Sequence, residues 1–171
     1  MEPKTKRIAV ATLFGALIFV SKVVVPSPID KMFVVIQALL LALGALLLKR
    51  MGATYVAAVG GCLTALWRIS FAHFTFIFAL LYGLFVDIFF FVFKVNTDQD
   101  TVETSKLIAL MTVSTALVGL ISYYTTVFPF SLLPKNLVLE VSILIVGALN
   151  GSVAGYFAAV IWNRHLRKAR F

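Results

Sequence analysis

The sequence predicts an all-α membrane protein, a compact bundle of six transmembrane helices with both termini in the cytoplasm. Three observations carry this. The 171 residues are 61% hydrophobic and only 13% charged, against roughly 25% charged in an ordinary soluble domain. Six apolar runs follow one another, each close to the roughly 20 residues a helix needs to cross a bilayer. Of the 15 Lys and Arg residues, eleven fall on one side of the alternating spans, and such a bias places that side inside.

The runs lie near 8–25, 32–49, 53–70, 74–94, 105–127 and 137–162, so residues 1–171 form a single integral membrane domain. The first run follows Lys4, Lys6 and Arg7. It is too long for the apolar region of a signal peptide and lacks a small-residue cleavage site, so it is expected to remain as a mature helix. Pro26 and Pro28 cannot continue a helix and open an outer loop that ends at Asp30. Met51-Gly52 forms a tight inner turn, and Arg68 to His73 a tight outer one. The longest polar stretch, Asn96 to Ser105, carries Asp98, Asp100 and Glu103 on the inner side. Phe128 to Pro134 is an outer loop too apolar to be simply solvated, and it is expected to fold down over the bundle.

The cationic tally follows from this alternation. Lys4, Lys6, Arg7, Lys49, Arg50, Lys94, Lys106, Arg164, Arg167, Lys168 and Arg170 lie inside, and Lys22, Lys31, Arg68 and Lys135 outside. A net charge of +8 could point to nucleic acid, but these residues cap apolar segments and form no single basic stripe. Membrane topology explains the charge, and no nucleic-acid partner is expected.

Signatures of catalysis are missing. There is no phosphate-binding G-x-x-x-x-G-K-[ST] loop, no His-Glu-x-x-His and no Gly-x-Ser-x-Gly. His73 and His165 fall on opposite sides, so they share neither a metal nor a nucleophile. Cys62 is the single cysteine, and it reads as packing. No enzyme activity, metal or cofactor is expected, and uphill transport would draw on an ion gradient or on a partner.

Charge inside a membrane is costly, which singles out Asp87 and Glu140. Asp87 lies near the inner end of the fourth helix and Glu140 one turn inside the outer end of the sixth, too far apart in depth for one proton relay. At 100° per residue Glu140 points within about 20° of Gly147 and Gly151, on a face suited to helix contact. Two readings of Glu140 stand: a ligand-contacting carboxylate, or a helix-end carboxylate paired with Lys135 or reaching interfacial water.

Gly147, Gly151, Gly155 and Ala159 form a small-residue ridge, a packing signal. On the fifth helix Thr112, Thr115, Gly119, Ser122 and Thr126 form a weakly polar stripe. It serves helix packing or lines a wet cavity, with Ser122 and Thr126 the outermost members. The outer ends gather Asp30, Arg68, His73, Tyr123, Tyr124 and Asn136. Aromatic and cationic residues at an interface need no function in general. Arg68 stands out because its turn is too short to hide it from the mouth, where Asp30, Glu140 or an anionic ligand could meet it.

The first helix, Arg7-Ile8-Ala9-Val10-Ala11-Thr12-Leu13-Phe14-Gly15-Ala16-Leu17-Ile18-Phe19-Val20, and the stretch Phe78-Ala79-Leu80-Leu81-Tyr82-Gly83-Leu84-Phe85-Val86-Asp87 carry a family resemblance. With six helices and an outer polar mouth, the chain resembles the substrate-specific S components of energy-coupling factor transporters. Ala11-x-x-x-Gly15 is similar to the family's Ala-x-x-x-Ala docking face, with Gly in the second place. Gly83-Leu84-Phe85-Val86-Asp87 is similar to its Gly-Leu-x-x-Asp pattern.

The resemblance implies a cell-membrane protein that binds a vitamin, a vitamin precursor or a metal ion from outside. Two cytoplasmic ATPases then act through a transmembrane coupling subunit, which docks at Ala11 and Gly15. It also implies a pocket formed by the first outer loop and the outer parts of helices four to six, where Pro28, Asp30, His73, Tyr123, Tyr124, Asn136 and Glu140 lie, with Arg68 adjacent. One outer histidine and no outer cysteine argue against nickel or cobalt, and the outer aromatics suit a flat organic ring. Four outer cations against two outer carboxylates lean toward an anionic or zwitterionic substrate. Two other classes remain: a standalone secondary carrier or channel, which normally shows mid-depth ionisable groups or broken helices, and a ligand-free membrane scaffold.

Overall fold

The computed structural model describes residues 3–24, 34–49, 51–67, 69, 72–95, 101–128 and 135–166. Asp30 and Arg68, and most of the three expected outer loops, lie outside the described residues. Within them the chain is all helical: α1 (Pro3–Val24), α2 (Val34–Leu48), α3 (Gly52–Trp67), α4 (Ala72–Val92), α5 (Thr104–Val127) and α6 (Leu137–Ile161), the last prolonged by a π-helical turn at Trp162–Leu166. The helix α1 begins five residues before the expected run. Pro3 opens it, at a position where a missing backbone N–H costs nothing.

Four helices are long and apolar enough to cross a membrane: α1, α4, α5 and α6 with its π-helical turn. The other two are shorter. With 15 and 16 residues, α2 and α3 span about 22–24 Å at 1.5 Å per residue, less than a hydrocarbon core of roughly 30 Å. The two differ in their place in the bundle. The helix α2 packs against every other helix, and α1, α3, α4, α5 and α6 follow one another around it. Ala38, Leu41, Ala42, Ala45 and Leu46 of α2 are all but fully buried. A helix apolar on every side is one enclosed by protein or lipid, and α2 is enclosed by protein.

Glycines set how closely the helices approach. In the α2–α3 turn the left-handed conformation falls on Lys49 and Met51, each with φ 58°, and the Gly52 N–H donates to Lys49 O at 3.1 Å. Gly52 serves a different need: a Cβ there would lie 2.3 Å from the Gly44 carbonyl oxygen of α2. The antiparallel pair α3/α4 meets at Gly61 against Ala79 and at Gly83 against Ala57. The ridge of α6 is pressed onto the α5 backbone, where a Cβ on Gly151 would lie 2.4 Å from Met111 O and one on Gly155 2.8 Å from Leu107 O.

Candidate functional site

Two residues at the end of α5 and two at the start of α6 converge. Tyr123 is buried, and its hydroxyl donates to the Asn136 carbonyl at 3.1 Å while accepting the Asn136 backbone N–H at 2.9 Å. Asn136 is the N-cap of α6, its side-chain oxygen accepting from the Val138 N–H at 2.9 Å. A short polar side chain there satisfies one of the donors that a helix start leaves open. Tyr123 thereby pins the first turn of α6, and that turn carries Glu140.

Tyr124 donates its hydroxyl hydrogen bond to Glu140 Oε1. Glu140 is half-buried and faces α5, along the face that carries Gly147 and Gly151. The rings of Tyr123 and Tyr124 lie 5.6 Å apart, and Phe128 stacks on Tyr124 at 5.9 Å with 20° between the planes. One carboxylate therefore lies beside a row of three rings where α5 ends and α6 begins. Among the described residues Glu140 forms no ion pair with Lys135.

Tyr123, Tyr124, Asn136 and Glu140 are thus brought together. His73 is exposed on the first turn of α4 and makes no hydrogen bond or ion pair among the described residues. Asp30 and Arg68 lie outside those residues. Ala11 is buried and borders a groove of about 410 Å³ between α1 and α3, with Thr12, Tyr55 and Ala58. Gly15 is packed against α3 of the same bundle, where an added Cβ would come within 2.7 Å of Val59 Cβ. Ala11 thus borders the groove, whereas Gly15 is open to another helix only if α1 parts from α3.

The polar stripe of α5 serves packing at Thr112 and Thr115. Thr112 bonds Ser152 of α6 at 2.8 Å, and Thr115 bonds the buried Tyr82 hydroxyl of α4 at 2.6 Å. Thr126 donates to its own helix, to Ser122 O at 2.8 Å.

Two features escaped the sequence. Phe128, the C-cap residue just past α5, sits one turn after Tyr124 and extends its ring row. Asp87 closes the start of α3: Oδ1 accepts from the Ala53 N–H at 3.1 Å and Oδ2 from the Thr54 N–H at 2.8 Å. A signal existed, because α3 opens at Met51-Gly52 with no Ser, Thr, Asp or Asn to cap it. Its orphan donors needed an acceptor from elsewhere.

Among the described residues no cluster of three or more His, Cys, Asp or Glu could hold a metal ion. Comparison of the chain with family models, with curated proteins and with solved structures finds no match. The functional reading therefore rests on the residues themselves.

Proposed function

We propose that the chain is the substrate-binding membrane subunit of an importer of the energy-coupling factor type. It captures a vitamin or related small organic molecule at the outer mouth and delivers it inward with a coupling subunit and ATPases. In this reading all six helices cross the cell membrane, the termini are cytoplasmic, and the chain is no enzyme. The observation that carries it is the convergence of Glu140, Tyr124, Tyr123 and Asn136 at the end of the bundle poorer in Lys and Arg. A half-buried carboxylate beside aromatic rings is a common chemistry for a small-molecule mouth.

Mass spectrometry of the protein purified in mild detergent tests the reading. A single small organic molecule is expected to co-purify near one per chain, and cells are expected to take it up only when they also supply the coupling subunit and ATPases. Uptake by the chain alone, abolished by an ionophore, makes it a secondary carrier. Purified protein without any such molecule, and uptake unchanged by its deletion, leaves a scaffold.

A further inference from the structure

The groove between α1 and α3 is apolar along its length and cationic at one end. Ile8 and Ala11 of α1 and Ala58 and Val59 of α3 line its apolar part, and it encloses about 410 Å³. Ile8 and Tyr55 on its lining are 67% and 55% exposed, so the groove lies at the surface of the bundle. The helix α1 is long and apolar enough to cross a membrane, and a groove on such a surface fills with acyl chains or with another helix.

Arg7 builds the charged end. Its Nη2 donates to the Leu48 carbonyl at 3.0 Å, tying the start of α1 to the end of α2. Both stretches of sequence are cationic, with Lys4, Lys6 and Arg7 in one and Lys49 and Arg50 in the other, against the single carboxylate of Glu2. The bond brings those stretches together at one end of the groove. Arg7 lies two residues into the apolar span that opens at Thr5, and Tyr55 in the first turn of α3. At such helix ends cationic side chains and aromatic rings meet lipid headgroups.

We propose that this groove holds an anionic phospholipid, with its phosphate at the Arg7 guanidinium and one acyl chain along Ile8, Ala11, Ala58 and Val59. From Arg7 to Thr12 the groove follows α1 for about 8 Å, at 1.5 Å per residue, so one lipid molecule reaches both parts. The guanidinium is planar and carries five donors; the Leu48 carbonyl orients it, and a phosphate oxygen joins the same fork. Basic pockets between membrane helices favour anionic headgroups, because a cationic rim attracts net negative charge and repels the cation of a zwitterionic headgroup. The proposal asks only that α1 and α3 lie in a bilayer, and it stands or falls independently of the importer reading.

Native mass spectrometry of the full chain in detergent micelles tests it, with dioleoylphosphatidylglycerol and dioleoylphosphatidylcholine as probes that share their chains. The anionic lipid is expected to bind about tenfold more tightly, the effect of two or more cations near a headgroup. Arg7→Gln keeps an N–H for the Leu48 carbonyl and loses the charge, so it should lower the preference to about twofold. Ala58→Phe narrows the groove and should weaken both lipids. Each variant is checked for a wild-type melting temperature. Glycerol phosphate, a headgroup without chains, should leave the bound lipid in place.

Equal binding of the two lipids, or a preference that Arg7→Gln leaves intact, overturns the proposal. Full affinity for both lipids in a folded Ala58→Phe moves the lipid elsewhere and overturns it too; if that variant fails to fold, the Arg7→Gln comparison decides. Displacement by glycerol phosphate makes this a site for a soluble anion, and binding of neither lipid leaves the groove to a helix of another protein. Either result overturns the assignment.

Discussion

Asp87 of α4 and Thr54 of α3 are joined twice through one oxygen, Oδ2 accepting the Thr54 backbone N–H at 2.8 Å and its hydroxyl at 2.6 Å. The carboxylate acts as an N-cap supplied by a neighbouring helix, where negative charge is also favoured by the helix dipole. Asp87→Ala leaves the N–H groups of Ala53 and Thr54 without their acceptor and should cost about 2 kcal/mol. Asp87→Asn, which keeps one oxygen, should cost less. Thermal melting in detergent reads both, and a wild-type melting temperature for Asp87→Ala would show that the clamp carries no stability.

The α5–α6 seam ranks its glycines. A Cβ at Gly151 meets backbone, Met111 O at 2.4 Å and Thr112 Cα at 2.7 Å, whereas one at Gly119 meets only Ile143 Cγ2 at 3.2 Å, the end of a side chain. Gly151→Ala should therefore destabilise by about 1–3 kcal/mol, the usual cost of overpacking. Gly119→Ala should lie near wild type. Equal melting temperatures for the two variants would mean that the helices part without penalty.

The two small residues of α1 should behave differently. Gly15→Leu drives a side chain into Val59 and the Gly60 backbone, so folding and ligand binding should be lost together. Ala11→Leu enlarges a residue that borders the α1–α3 groove, and the fold should survive. If the coupling subunit docks along that groove, Ala11→Leu loses uptake while the purified protein still binds ligand. Unimpaired uptake in Ala11→Leu would remove α1 from the docking surface.

Sidedness is open to labelling. In a Cys62→Ala background, a cysteine at Lys135 should react with an impermeant maleimide on intact cells. One at Met51, which is 46% exposed in the α2–α3 turn, should react only after permeabilisation. Charge bias sets this expectation. Reaction of Met51 from outside would overturn the six crossings and move the mouth to the wrong side.

Much of this protein was determined by its sequence alone. Hydropathy and helical period are local properties, so six helices could be placed to within a few residues. The same periodicity put Glu140 on the glycine face of α6, which the structure packs against α5. What covers each face was not legible. Lipid tails are as apolar as leucine, so a run such as Ala38 to Leu48 looks the same whether it meets acyl chains or other helices. Only tertiary packing set α2 at the centre, turned Gly15 against α3 and laid Phe128 beside Tyr124. Thr54 and Asp87 are 33 residues apart, and no local pattern joins them. Their bond forms because an uncapped helix start must find an acceptor at its own depth, and the packing of α3 on α4 supplies it.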